Sequence, residues 1–169
     1  MAEPVWYFGY GSNMNRAIFC ERRRMSPRAV RWGWLEDHRL SFDLPVGPGE
    51  RAVANVRPEA GARTCGVLWL LDEGELARLD LTEGVHRGYY LRVPVKVVVD
   101  DGERLPAFTY QSLRGVSGRK PSARYLGLLV EGARQHGLPV EYVTFLESHE
   151  LAHDERLDAP ASSEKSTVP

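Results

Sequence analysis

Apolar and polar positions change period several times along the chain, and each change marks an element. Val5, Trp6, Tyr7 and Phe8 form a short apolar, aromatic run that reads as a buried strand. It ends in the turn-forming cluster Gly9-Tyr10-Gly11-Ser12-Asn13. A helical stretch follows, with Met14, Ala17, Ile18 and Cys20 on one side. Strand patterns come next at about 28–35, 38–43, 52–57 and 64–70, and Gly47-Pro48-Gly49 marks an exposed loop among them.

The period then switches to that of a helix. Asp72 stands where an N-cap belongs, with Glu75 placed to complete a capping box. The helix it opens carries Leu76, Leu79 and Leu81 inward, and Gly84 is a natural residue to end it. Residues 93–99 and 104–111 read as paired strands turned by Asp101-Gly102. A Gly/Ser/Arg loop covers 113–120, and Pro121-Ser122 opens a helix with Tyr125, Leu128, Leu129 and Ala133 at helical spacing, closed by Gly137. Pro139, at a first helical position, starts another helix with Tyr142, Val143, Leu146 and Leu151 facing in.

Strands outnumber helices and the two types mix along the chain. That order predicts a single α+β domain over residues 1–153, a closed or nearly closed barrel with helices against it. Residues 154–169 are polar, small and proline-containing, and read as a disordered tail. A chain of 169 residues is long enough to bury a core without disulfides or metals.

Charge excludes more than it suggests. The 22 basic and 23 acidic side chains nearly cancel, so no field of one sign invites nucleic acid or a membrane surface, and neither is an expected partner. The densest basic run, Arg22-Arg23-Arg24, reads as a solvated helix end, because no interleaved aromatics or second basic patch accompany it. Cys20 and Cys65 lie in apolar surroundings without metal-ligand spacing, as small core residues of a reducing compartment do. No apolar run approaches the roughly 20 residues of a bilayer-crossing helix, and no signal-peptide pattern is seen, so the expected compartment is the cytoplasm.

Two constellations can carry chemistry. In residues 7–13 the glycines allow a backbone to approach a ligand closely, and consecutive N–H groups beside a helix start form an anion cradle. A dinucleotide fingerprint needs a third glycine where Met14 stands, and a phosphate loop needs Gly-Lys-Ser/Thr; what remains suits a small anion such as a carboxylate. The second constellation is Leu81-Thr82-Glu83-Gly84-Val85-His86-Arg87-Gly88-Tyr89-Tyr90. Glu83 falls at a helix C-terminus, whose unpaired carbonyls disfavour a carboxylate and raise its pKa, the more so in a dry site. A carboxyl that titrates nearer neutrality is what an acid–base catalyst needs. Taken alone, each constellation also has a plain structural reading, a tight turn and an exposed helix-end glutamate.

Three motifs in register resemble the γ-glutamylcyclotransferase-like family over residues 5–150. Tyr7-Phe8-Gly9-Tyr10-Gly11-Ser12-Asn13-Met14 is similar to that family's Y-F-[AG]-Y-G-S-N-[LM] opening. Leu79-Asp80-Leu81-Thr82-Glu83-Gly84-Val85, continuing to Gly88-Tyr89-Tyr90, resembles its L-D-x-x-E-G-V-x-x-G-x-Y. Gly137-Leu138-Pro139 with Glu141-Tyr142 resembles its G-L-P-x-E-Y. The resemblance implies a mixed β-barrel with flanking helices, no cofactor and no metal. It implies a substrate site at Tyr7, Phe8, Gly9, Tyr10, Gly11 and Ser12, with Tyr90, Tyr110 and Tyr125 lining the pocket and Glu83 as general base and acid. The implied reaction is closure of a γ-glutamyl amide on its own α-amine, releasing 5-oxoproline and an amino acid or amine. Intramolecular attack has a high effective molarity, so the protein need only fold the substrate and move protons. The implied partner is thus a small γ-glutamyl compound; the leaving group and the oligomeric state, a homodimer included, are left open.

Two readings from other classes compete. His149-Glu150-Leu151-Ala152-His153 spells the H-E-x-x-H of zinc proteases on a predicted helix, but the residues after it include no histidine to serve as a third ligand. A non-catalytic ligand-binding module on the same fold is the other, and the retained Glu83 beside the retained cradle argues against it.

Overall fold

The first strand is apolar on both faces because it is covered on both. β1, Val5–Gly9, buries every residue from Tyr7 onward. It pairs antiparallel with the strand at 52–71 and parallel with the strand at 104–111, with Tyr7 opposite Trp69 on one side and Phe108 on the other. The computed structural model of the chain describes residues 2–153, so the tail reading for 154–169 lies outside the described residues. Labelled in chain order, the remaining strands are β2 Ala29–Pro45, β3 Ala52–Leu71, β4 Leu91–Val99 and β5 Arg104–Gln111. They close into a mixed barrel in the order β1-β3-β2-β4-β5. Closure satisfies both edges of the sheet, which is why the parallel β1–β5 contact exists.

The four short strands expected between 28 and 70 are two long ones. β2 and β3 run as one bent hairpin ladder, with register shifts between Glu36 and His38 and again between Phe42 and Leu44. Asp37 takes a positive φ of 57° at the first irregularity, and its carboxylate accepts from the Gly61 N–H at 3.0 Å. Polar residues that looked like turns are therefore bulge residues inside a continuing ladder. β4 pairs only with Gly33, Trp34 and Leu35 of β2, so the distal half of the hairpin reaches past the barrel as an arm.

The helices are α1 Glu73–Thr82, α2 Ala123–Gln135 and α3 Val140–Glu147, with helical turns at Ser12–Met14, Ala17–Arg22 and Val85–Arg87. Trp69, Phe8, Phe19, Leu68, Leu129 and Leu146 are among the largest fully buried side chains and belong to one core shared by barrel and helices. Ser122 caps α2 by accepting from the Tyr125 N–H at 3.1 Å. Asp72 occupies the N-cap position of α1, but no capping box forms. Its carboxylate instead meets Arg28 at 2.7 Å, and Glu75 accepts from the Ser26 N–H, so both acids tie α1 to the segment before β2. Leu79 is buried as expected, whereas Leu81 is 64% exposed.

α3 begins one residue later than expected, with Pro139 at its N-cap, and it ends at Glu147. The H-E-x-x-H pair consequently lies beyond the helix and lacks the i, i+4 geometry that two zinc ligands require. The His149 ring packs on Phe42 and Phe145, Glu150 pairs with Lys120 at 3.1 Å, and the His153 N–H donates to Glu50 at 2.9 Å. Leu151 is exposed. Among the described residues no group of three or more His, Cys, Asp and Glu side chains is placed to hold a metal ion. Nor is any helix of the described residues long and apolar enough to cross a membrane.

Candidate active site

Where β1 leaves the barrel, the chain turns immediately into the short helix Ser12–Met14, and the arm of β2 and β3 folds over that turn. Between them lies a chamber of about 220 Å³ lined by Tyr7, Tyr10, Gly11, Ser12, Asn13, Arg23, Val53, Ala54, Glu83, Tyr90, Tyr110 and Tyr125. Glu83, Val53 and Tyr90 also belong to the wall of a larger, outer cavity of about 670 Å³ with His86, Arg87, Tyr89 and Arg114 at its rim. Glu83 thus stands where an inner chamber meets a vestibule.

Local structure fixes Glu83 from both sides. It is the C-cap of α1, its N–H donating to Leu79 O at 2.9 Å, and Gly84 follows at φ 69°. A Cβ at Gly84 would lie 2.6 Å from the Tyr89 ring, so both the left-handed backbone and the close approach call for glycine there. On the other side Asn13 donates from Nδ2 to Glu83 Oε1 and to Tyr7 Oη, each at 2.9 Å. Asn13 is held in turn by Trp69, whose Nε1 donates to the Asn13 carbonyl at 2.9 Å. Burial pushes the Glu83 carboxyl above its ordinary pKa, while the Arg23 charge and the Asn13 hydrogen bond pull it partway back. The direction matches the sequence expectation, with desolvation as the leading cause.

The tyrosines divide the remaining work. Tyr125 Oη accepts from the Ala54 N–H at 3.0 Å and also from the Ser12 N–H, and burial pushes its pKa up to about 12. A hydroxyl with its lone pairs so occupied keeps its proton to donate into the chamber. Tyr90 Oη donates to Ala54 O at 3.3 Å. Tyr110 Oη donates to Asp80 at 2.6 Å, and Arg92 pairs with the same carboxylate, so Tyr110 offers the chamber its ring. Tyr10 Oη donates to the Tyr110 carbonyl, locking the loop to β5.

The structure gathers Tyr7, Tyr10, Gly11, Ser12, Glu83, Tyr90, Tyr110 and Tyr125 around the chamber, as expected, but leaves out Phe8 and Gly9. Strand alternation turns Phe8 away from Tyr7, and its ring packs fully buried in the core. Gly9 is a ladder residue paired with Val67. Because β1 is paired on both edges and the Ser12 N–H is given to Tyr125 Oη, the backbone able to cradle an anion shrinks from residues 7–12 to residues 10 and 11. At Gly11 a Cβ would stand 3.0 Å from Tyr125 Oη, so the missing side chain is what lets that hydroxyl approach the loop.

Residues that the sequence reading did not assign complete the site. Asn13 sits inside the opening motif, and only the fold shows that it bridges Glu83 and Tyr7. Val53 and Ala54 come from the arm, far away in sequence. Arg23 is the clearest departure: Arg22 and Arg24 are exposed, but Arg23 lines the chamber. No periodic signal separates it from its neighbours, because residues 17–22 form a helical turn of π type that breaks the 3.6 spacing.

A closed barrel whose mouth holds a carboxylic acid among tyrosines forms a pocket suited to a small polar substrate. Comparison with known proteins agrees. The model of the AIG2-like family matches residues 63–146. The γ-glutamylcyclotransferase of Bos taurus is 32% identical over 155 residues, covering 88% of this chain and 80% of that protein. The γ-glutamyl cyclotransferase verK of Clonostachys rogersoniana is also 32% identical over 155 residues, covering 75% of this chain and 86% of its own. A solved γ-glutamyl cyclotransferase structure superposes with a TM-score of 0.79 at 27% identity, covering 88% of this chain and 89% of the other. The chain belongs to the γ-glutamylcyclotransferase family and is an enzyme of that type.

Proposed function

We propose that this enzyme closes γ-glutamyl amides on their own α-amine, releasing 5-oxoproline and an amino acid or amine, with Glu83 as base and then acid. The observation that carries the reading is Glu83 itself, a desolvated carboxyl with Asn13 on one oxygen and a chamber in front of it. The γ-glutamyl group occupies the inner chamber and the leaving group the vestibule, so that the scissile bond lies beside Glu83. Glu83 takes a proton from the α-ammonium; the freed amine attacks the γ-carbonyl, forming the ring C–N bond. The negative charge that develops on the carbonyl oxygen is met by the Tyr125 hydroxyl and the N–H groups of residues 10 and 11. Collapse breaks the amide C–N bond as Glu83 gives its proton to the departing nitrogen, and the regenerated carboxylate then takes the second proton from the ring nitrogen and passes it to the released amine, which leaves as an ammonium. Proton count and charge balance, and no cofactor enters. Free thiols at Cys20 and Cys65 suit a reducing compartment, and the cytoplasm is the setting this reading assigns.

The test is direct. The full chain is incubated with a panel of γ-glutamyl amino acids and γ-glutamylamines, and 5-oxoproline is measured alongside the free amine. Stoichiometric release of both is expected; free glutamate in place of 5-oxoproline would identify a hydrolase and overturn the reading.

A further inference from the structure

Arg23 has no role in the chemistry above, yet the fold goes to some length to bring it inside. The turn Ala17–Arg22 has i+5 hydrogen bonding, continued by the Arg23 N–H, which donates to Ile18 O at 2.9 Å. The next residue, Arg24, takes a φ of 55°, a left-handed conformation that costs an ordinary side chain about 1 kcal/mol. The Arg24 carbonyl is tied down by Arg78 at 3.3 Å. Widened helix and strained successor together aim Arg23 at the chamber while Arg22 and Arg24 face solvent. Its Nε is buried with no hydrogen-bond partner among the described residues. A buried donor of a charged group costs free energy until something accepts from it. Its charge is felt by Glu83, Tyr7 and Tyr125, which places it across the same small space.

The chamber therefore has one acid and one guanidinium on its wall, against the hydroxyls, Asn13 and apolar carbons of the rest. A γ-glutamyl group carries one charge of each sign, both on its α-carbon. We propose that Arg23 binds the substrate's α-carboxylate, so that the α-ammonium is turned toward Glu83. This inference rests on the cyclotransferase reading and extends it, because it gives the substrate's α-carboxylate a side-chain partner of its own. The pair of opposite charges sets orientation: exchanging the carboxylate and ammonium positions would set like charges together at both ends. Arg23 is accordingly a specificity residue for the α-amino-acid end of the substrate.

The experiment compares the full chain with Arg23→Met on two substrates. One is γ-glutamylalanine; the other is 4-aminobutanoylalanine, the same amide without the α-carboxylate, which cyclises to pyrrolidin-2-one. A hydrogen-bonded charge contact of this kind is worth about ten- to hundredfold in affinity. The unaltered chain should prefer the γ-glutamyl substrate by at least that factor in kcat/KM. In Arg23→Met the preference should collapse, chiefly through KM, and Arg23→Lys should keep part of it. The acid limb of the pH profile should also move upward in Arg23→Met, because a cation that favours ionised Glu83 has been removed. A variant that discriminates between the two substrates as strongly as the unaltered chain overturns the proposal. Circular dichroism checks folding, and Arg23→Gln serves the same comparison if Arg23→Met does not fold. Calorimetric titration with 5-oxoproline reads the contact without turnover, and Kd should weaken by about tenfold or more in the variant. A chain that binds 5-oxoproline through Arg23 but releases no lactam would defeat the cyclotransferase reading alone; equal Kd in chain and variant would defeat the Arg23 assignment alone.

Discussion

Two of the carboxylates drawn into this protein, Asp43 and Glu83, have opposite surroundings. Asp43, on the arm, is 7% exposed and accepts from Ser41 Oγ at 2.9 Å, from Asn55 Nδ2 at 3.2 Å and from Arg57 Nε. Asn55 also donates to Ser112 O at 2.9 Å, and the Val116 N–H donates to Asp43 O at 2.7 Å, so the cluster pins the loop after β5 to the arm. Among the described residues Glu83 has a single hydrogen-bond donor, Asn13, and otherwise faces a cavity. A carboxylate surrounded by donors organises its neighbours. One that is short of donors is driven toward its neutral form and is free to exchange a proton. The number of donors thus sets the arm's acid apart from the acid at the chamber, where burial raises the carboxyl's pKa.

The sharpest way to break the comparison is to neutralise each acid. Glu83→Gln should lower kcat by about 10²–10⁴ while 5-oxoproline still binds, since the amide keeps size and the Asn13 contact but cannot carry a proton. Steady-state release of 5-oxoproline together with calorimetry measures both halves, and residual turnover near that of the unaltered enzyme would remove Glu83 from the chemistry. Asp43→Ala should act on the other axis, costing about 2–3 kcal/mol of stability by stranding Arg57 and Asn55, with a far smaller effect on turnover per folded molecule. Urea unfolding followed by fluorescence gives the number. Gly84→Ala tests the element that carries Glu83: a left-handed residue plus contact with Tyr89 should cost about 1–2 kcal/mol, read as a lower Tm.

A gentler test uses pH. Glu83 has a raised folded-state pKa, so its neutral form is favoured by folding, and that advantage is present below the unfolded value of about 4.3 and lost as pH rises through the folded one. Glu83→Gln should match the parent in stability below that window and exceed it at neutral pH; the reverse order would mean that the carboxylate is stabilised in place. The smallest expected effect concerns the histidines. His149→Ala with His153→Ala, or dialysis against a chelator, should leave cyclotransferase activity unchanged, because neither residue lies in the chamber wall. Peptidase activity lost together with a bound zinc would reopen the protease reading.

Local pattern carried much of the architecture. Period-2 and period-3.6 signals located the strands and the three α-helices, and glycine placement ended α1 at the residue before Gly84. The direction of the Glu83 shift was expected from its helix-end position, but burial, which the fold supplies, is its leading cause. Phe8 and Gly9 could not be separated from Tyr7 and Tyr10 by motif, because membership of a motif does not say which face of a strand a side chain takes. The breaks at 36–37 and 58–63 looked like turns because a bulge and a turn use the same polar, positive-φ chemistry, here at Asp37 and Gly61.

What the sequence determined by itself was which elements form, where they stop, and that a lone glutamate would end a helix in company with a glycine-rich turn. These are consequences of short-range sterics and periodic burial, which any stretch of chain expresses locally. Only the tertiary structure decided which polar groups meet. Ladder closure placed Tyr110 opposite Tyr10, the arm brought Ala54 to Tyr90 and Tyr125, and a widened helical turn swung Arg23 inward from a run of three arginines. Desolvation and hydrogen-bond pairing depend on what stands across a few ångströms of space, and that distance is set by packing between segments remote in sequence.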